Sequence, residues 1–221
     1  MTLLNEDIKK QVSEFFLKLE SPVKLLYFGS ASNCDYCEDT LQLTKEIVEL
    51  SDKLDLQVYD LDVDMEIAQK YHVDKTPSIV LLGSNGEDFM DYGVRFSGIP
   101  AGHEFSSLIQ GLILVSGDNS QLNQTTRDAL KKLSSPVLLQ VYVTPTCPYC
   151  PQAVVLAHQM ALESDFIQAE MIEATEFPEL AARHNVSGVP QITINDGAGV
   201  VVGAVPEEYL LAEILRTVNV N

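Results

Sequence analysis

The sequence predicts an α/β protein built as two tandem units, each a mixed central sheet with helices on both faces. Three observations predict it. The chain carries two Cys-x-x-Cys motifs, Asn33-Cys34-Asp35-Tyr36-Cys37-Glu38 and Thr146-Cys147-Pro148-Tyr149-Cys150-Pro151, and no other cysteine. Landmarks then recur at a fixed interval: Cys34 and Cys147, Cys37 and Cys150, Ala68 and Ala181, Val73 and Val186, and Pro77 and Pro190 all lie 113 residues apart. Finally, the same order of helical and strand-like periodicities runs through both halves.

Each half opens on a helix. Ile8, Val12, Phe15, Phe16 and Leu19 stand at helical spacing over residues 5–19, and residues 122–133 repeat the pattern more weakly. The entry Ser21-Pro22-Val23, repeated at Ser135-Pro136-Val137, leads into the apolar strands Val23–Phe28 and Val137–Val143. A helix follows each cysteine pair, with Leu41, Leu43, Ile47, Val48 and Leu50 as its apolar face in the first half. Strands at Leu56–Leu61 and Ile167–Ile172 come next, then a short helix leading to Thr76-Pro77 or Val189-Pro190. Beyond each proline a hairpin is expected, turning at Asn85-Gly86 and at Asp196-Gly197. A last helix closes each half, through Phe105, Leu108, Ile109, Leu112 and Ile113, and through Tyr209, Leu210, Ile214, Leu215 and Val218. The turn-rich Ser116-Gly117-Asp118-Asn119-Ser120 places the division between units 1–117 and 118–221.

Composition narrows the function. A hydrophobic content of 46% and a charged content of 21% are those of an ordinary globular protein. The net charge of −18 argues against nucleic acid or an anionic membrane as partner. No run reaches the roughly 18 apolar residues of a membrane span. The opening Met1-Thr2-Leu3-Leu4-Asn5-Glu6-Asp7 lacks a signal-peptide layout, and the closing Val218-Asn219-Val220-Asn221 lacks a retention signal. With every cysteine in a Cys-x-x-Cys pair, the expectation is a reducing, cytoplasmic compartment.

A strand, a short loop and Cys-x-x-Cys opening a helix is a dithiol switch. Free N–H groups and the helix dipole favour a thiolate on the first cysteine, and the second, expected one turn inside the helix, closes the disulfide. One shared Cys₄ zinc site is disfavoured, because 109 residues separate the pairs and each opens its own helix. His72, His103, His158 and His184 show no metal-ligand spacing, so no metal is expected. The redox-active disulfides themselves would be the only prosthetic chemistry.

These motifs resemble the thioredoxin/glutaredoxin fold, and Cys147-Pro148-Tyr149-Cys150 resembles a glutaredoxin dipeptide site. Two such units in tandem resemble the protein disulfide oxidoreductases of thermophilic archaea and bacteria, over essentially the whole chain, including Gly98-Ile99-Pro100-Ala101-Gly102. The resemblance implies a cytosolic protein disulfide reductase or oxidase with possible isomerase activity. Its partners would be protein thiols and disulfides and a thioredoxin-reductase-type flavoprotein. It further implies that Cys34 and Cys147 are exposed nucleophiles, Cys37 and Cys150 their buried resolving partners, and Pro77 and Pro190 cis-prolines. Thr76 and Val189, just before them, would offer backbone hydrogen bonds to a docked peptide. Tyr36 and Tyr149 are expected to pack beside the disulfides without catalytic duty.

Departures from the pattern are informative. Where thioredoxins hold a buried carboxylate six residues before the first cysteine, this chain has Phe28 and Val141, leaving Asp60 and Glu173 on the next strand as candidate proton acceptors. The segment Gly203-Ala204-Val205-Pro206-Glu207 departs from the glutathione-binding Gly-Gly-acid pattern. A different class of reading is a disulfide relay or peptide-binding module of a larger reductase system, as in the N-terminal part of alkyl hydroperoxide reductase flavoproteins; two intact pairs argue against it. Charge also separates the two sites. Asp35, Glu38 and Asp39 flank the first pair, whereas residues 147–153 carry no charge. With Pro148 pre-setting helical φ behind Cys147, the second site is expected to be the faster and more oxidising.

Overall fold

The computed structural model describes residues 2–32 and 34–218; Met1, Asn33 and residues 219–221, quoted above, lie outside the described residues. Helix α1 (Glu6–Phe16) starts where the Asn5 side chain accepts the Ile8 N–H and buries Val12 and Phe16. Strand β1 (Val23–Gly29) is buried along nearly its whole length, as expected of an apolar run with sheet on both sides. Then come α2 (Cys37–Val48), β2 (Leu54–Asp60), α3 (Met65–Lys70), β3 (Ser78–Ser84), β4 (Phe89–Ser97), a 3₁₀ turn at Gly102–Glu104 and α4 (Phe105–Gly117). The second half repeats the order with α5 (Gln124–Leu130), β5 (Val137–Val143), α6 (Cys150–Leu162), β6 (Ile167–Glu173), α7 (Pro178–Arg183), β7 (Gln191–Ile194), β8 (Gly199–Val202) and α8 (Glu207–Val218).

The halves do not keep separate sheets. Strand order β2-β1-β3-β4-β6-β5-β7-β8 makes one eight-stranded mixed sheet. The join is a parallel pairing of β4 with β6, Val94 to Ser97 against Ala169 to Ile172. Within each half, β1/β2 and β5/β6 run parallel, while β3/β4 and β7/β8 are the expected hairpins.

Alternation along the joining strands sets what each face holds. Val94 and Phe96 of β4 and Ala169 and Met171 of β6 belong to the main core, which runs without a break through both halves. Helices α4 and α6 cover that face and pack on each other. His158 of α6 is fully buried there, edge-on to Phe96, with its Nε2 3.2 Å from the Arg95 carbonyl. Burial, and then the Arg95 charge, push His158 down to about 4 even though it bonds that carbonyl, so at neutral pH it is an uncharged donor.

The opposite face of the join is polar. Glu170 accepts from Lys75 at 2.8 Å, from Ser97 at 2.5 Å and from Gln140 at 3.3 Å, and Arg95 makes a two-pronged pair with Asp91. Burial works against the charge on Lys75, but Glu170 and Asp74 outweigh it and raise the pKa. Lys75 and Glu170 come from different halves, so this largely buried pair bridges the join. No described helix is long and apolar enough to cross a membrane.

Candidate active site

Both cysteine pairs sit at the junction of a central strand and the following helix, and both are disulfide-bonded. Cα–Cα separations are 5.4 Å for Cys34–Cys37 and 5.5 Å for Cys147–Cys150. The helices begin at the second cysteine, with Tyr36 and Tyr149 as the residues before them. Cys37 and Cys150 are therefore the first helical residues, not one turn inside, because the motif's middle residues form the turn. The first cysteines lie just ahead of the helix, bonded to its terminus. Pro148 likewise stands in the turn, and it is Pro151 that occupies the first turn of α6.

Exposure differs from the family expectation at one position. Cys34 is partly exposed, but Cys147 is only 7% exposed, no more open than Cys37 at 7% and little more than Cys150 at 0%. The covering is apolar, since Cys147 belongs to the main core with Val143 and Val154. Tyr36 and Tyr149 are largely open to solvent. They are 46% and 65% exposed, and Tyr36 lines the groove that holds Cys34.

Thr76–Pro77 and Val189–Pro190 are both cis. In each half the proline carbonyl accepts a glycine N–H, Gly98 at 2.9 Å and Gly203 at 2.8 Å, which ties the proline loop to the end of the hairpin. At the first site Thr76 and Pro77 share a groove of about 510 Å³ with Cys34, Asp35, Tyr36, Thr175, Glu176 and Pro178. On the other side of this disulfide, Cys37 and Asp60 line a shallower depression. Asp60 also accepts the Asp62 N–H at 2.9 Å, so its carboxylate is shared with the turn after β2. Beneath Cys37, the Tyr27 hydroxyl donates to its carbonyl at 2.7 Å, and burial pushes Tyr27 up to about 12, keeping it a donor.

Each site borrows structure from the other half. After β4 the chain runs from Gly98 to Glu104 along the second unit. Gly98 adopts φ +88°, and a Cβ there would stand 2.6 Å from the Glu173 Cβ and 2.8 Å from the Glu176 carboxylate. The Ile99 N–H donates to Glu176 at 2.7 Å. Four residues on, the His103 N–H donates to the Pro145 carbonyl at 2.9 Å, just before Cys147. One loop thus touches the approaches to both cysteine pairs.

Three carboxylates lie along this loop. Glu173, a candidate from sequence, is 2% exposed and accepts the Thr175 hydroxyl and the Glu176 N–H, so it shapes the turn carrying Glu176. Glu176 is pushed up to about 7, by burial and by the Glu173 charge, against the pull of the Ile99 N–H. Glu104 is 1% exposed, and burial pushes it up to about 7 although the Ser107 hydroxyl donates to it at 2.5 Å. Sequence reasoning did not single out Glu104 or Glu176. Glu104 had a signal, being the only acid between Gly98 and Val115; Glu176 sits in an acid-rich stretch and had none.

Paired strand–helix dithiols, with a cis-proline in each half, define a thioredoxin-fold thiol–disulfide oxidoreductase type. Comparison with known proteins agrees: the thioredoxin domain family matches residues 23–110 and again 137–216, and the chain belongs to that family. A protein disulfide oxidoreductase from Aeropyrum pernix is 35% identical, superposes with a TM-score of 0.87, and the match covers 95% of this chain and 91% of that one. A structure of the alkylhydroperoxide reductase AhpF from Enterococcus faecalis is 28% identical with a TM-score of 0.87, covering 96% of this chain and 99% of that one. Among curated proteins, an NADH dehydrogenase of Bacillus subtilis is 29% identical over 96% of this chain, which spans 38% of that protein's length. The corresponding alkyl hydroperoxide reductase protein of Staphylococcus aureus is 29% identical over 87% of this chain, and 34% of its own length is matched.

Proposed function

We propose that the chain is a protein disulfide oxidoreductase with two working sites, exchanging disulfides with protein substrates at Cys34–Cys37 and Cys147–Cys150. The observation that carries this reading is that both pairs are intact, each at a strand–helix junction in a half that also holds a cis-proline, with Pro77 sharing the groove of Cys34. In each unit, 1–117 and 118–221, the outer thiolate attacks a substrate disulfide, a mixed disulfide forms, and the inner cysteine resolves it. A thioredoxin-reductase-type flavoprotein in the cytoplasm would recharge the pairs. Thr76 and Val189 would present backbone groups to a docked polypeptide.

A second reading has specific support. The curated relatives named above, an NADH dehydrogenase and an alkyl hydroperoxide reductase subunit, are longer proteins, of which this chain matches about a third. On that reading the chain relays electrons from a flavoprotein to a peroxide-reducing partner, with protein disulfides as incidental substrates. The two readings separate on insulin reduction driven by dithiothreitol. The proposed oxidoreductase precipitates insulin rapidly; Cys147→Ser loses most of the turnover at the second site, and Cys150→Ser accumulates a covalent mixed disulfide with insulin. A wild-type protein no faster than dithiothreitol alone would favour the relay.

A further inference from the structure

The first site contains a residue that its own unit does not supply. Glu176 leaves the end of β6 in the second unit and lines the groove that holds Cys34, Tyr36, Thr76 and Pro77. Two features hold it there. The Ile99 N–H anchors its carboxylate from the first unit, and its own N–H is anchored on Glu173. Gly98 is required at this crossing, because any side chain would collide with both glutamates. The charged and titratable groups around Glu176 are Glu173 behind it and Asp35, Tyr36 and Cys34 across the groove, and none of the lining residues is basic. The groove is thus built to hold a carboxyl group beside a sulfur centre without neutralising it by a cation.

We propose that Glu176 is the proton-exchanging residue of the first site, supplied by the second unit to the exchange reaction at Cys34. The proposal rests on the thiol–disulfide exchange proposed above. The Cys34 thiolate forms a bond to one substrate sulfur, the substrate S–S bond breaks, and its electron pair leaves on the other sulfur. The Glu176 carboxyl gives its proton to that leaving thiolate. Cys37 then bonds to the Cys34 sulfur and displaces the remaining substrate sulfur, to which the Cys37 proton passes. Water reprotonates Glu176. The pair is oxidised to the disulfide, the substrate is reduced to two thiols, and one proton is taken up overall. A carboxyl group titrating near neutrality suits this step, because it is still substantially protonated at pH 7 and is more acidic than an ordinary thiol near 8.5. The arrangement also explains why the two units share one sheet: separating them would remove Glu176 from Cys34.

The test uses the full chain with the second site silenced, Cys147→Ser/Cys150→Ser, with and without Glu176→Gln. Glutamine keeps an oxygen for the Ile99 N–H but carries no titrating proton. Iodoacetamide alkylation of reduced Cys34 between pH 5 and 10 reports on the residue without any substrate. With Glu176 present, the profile carries an extra inflection near pH 7; in the glutamine variant it is a single thiol titration. Insulin reduction by the same proteins is about tenfold slower in the glutamine variant at pH 6 and equal at pH 9, where the glutamate has already lost its proton. Superimposable alkylation and turnover profiles for the two proteins overturn the proposal. If the silenced parent keeps the alkylation inflection yet reduces no insulin at any pH, Glu176 is placed as inferred and it is the protein-disulfide reading of this site that fails.

Discussion

At the scale of single residues, the two nucleophile positions differ in charge and in burial, and the two effects oppose. Glu38 and Asp39 occupy the first turn of α2, Asp35 precedes it, and Glu176 faces Cys34 across the groove. The first turn of α6 holds no acid. Each acid near a helix start offsets the dipole's stabilisation of a thiolate by about 0.3–1 kcal/mol, and about 1.4 kcal/mol is one pKa unit. Cys147 is the more buried sulfur, which raises its own pKa. Charge wins, because at both sites the free N–H groups of the helix start solvate the thiolate in place of water. Cys34 is therefore expected to titrate above Cys147 at low salt, by less as salt screens the acids. Iodoacetamide alkylation of the two single-site variants across pH measures it, and an equal or lower value for Cys34 removes the charge argument.

Among elements, the helix α4 and the 3₁₀ turn before it carry the clearest linkage between burial and pH. Glu104 sits at their junction, and its pKa rises from 4.5 to about 7 by burial. The native protein therefore keeps a proton that the unfolded chain has lost between those two values, so stability falls as pH rises through that window. The cost amounts to about 3 kcal/mol once the group is fully ionised. Glu104→Gln should match wild type near pH 4.5 and exceed it by up to about 3 kcal/mol at pH 8, as measured by urea unfolding at the two pH values. A gap that does not change with pH would show that Glu104 is hydrated in solution. His158 acts in the opposite direction. Its depressed pKa contributes stability present above 6.5 and lost as pH falls towards 4, so wild-type stability alone conceals both slopes.

For the whole molecule, the parallel β4–β6 join decides how far the two units can be treated as separate. Cutting there would expose the ladder edge at Val94–Ser97 and the apolar faces of α4 and α6, and would part Lys75 from Glu170, leaving Lys75 with Asp74 and Glu170 with Gln140. Residues 1–117 and 118–221 expressed apart should aggregate or self-associate, and co-expressed should recombine into a one-to-one complex that elutes like the intact chain. A monodisperse, fully folded first half in size-exclusion chromatography would show that the join is dispensable.

Much of this architecture was legible in the sequence. The duplication, the element order, the hairpins and the positions of Pro77 and Pro190 all rest on signals that are local or repeat at fixed spacing. A strand's alternation, a helix's period or a landmark recurring 113 residues on is visible without knowing what packs against it. The tertiary structure decided the rest. It joined Val94–Ser97 to Ala169–Ile172, pushed Cys147 under apolar cover, placed the helix starts at Cys37 and Cys150, and brought Glu176 to Cys34. Those features depend on contacts between residues far apart in the chain. A glutamate's ordinary side chain carries no mark of the neighbour that will desolvate it, so its chemistry is set only when the two halves close on each other.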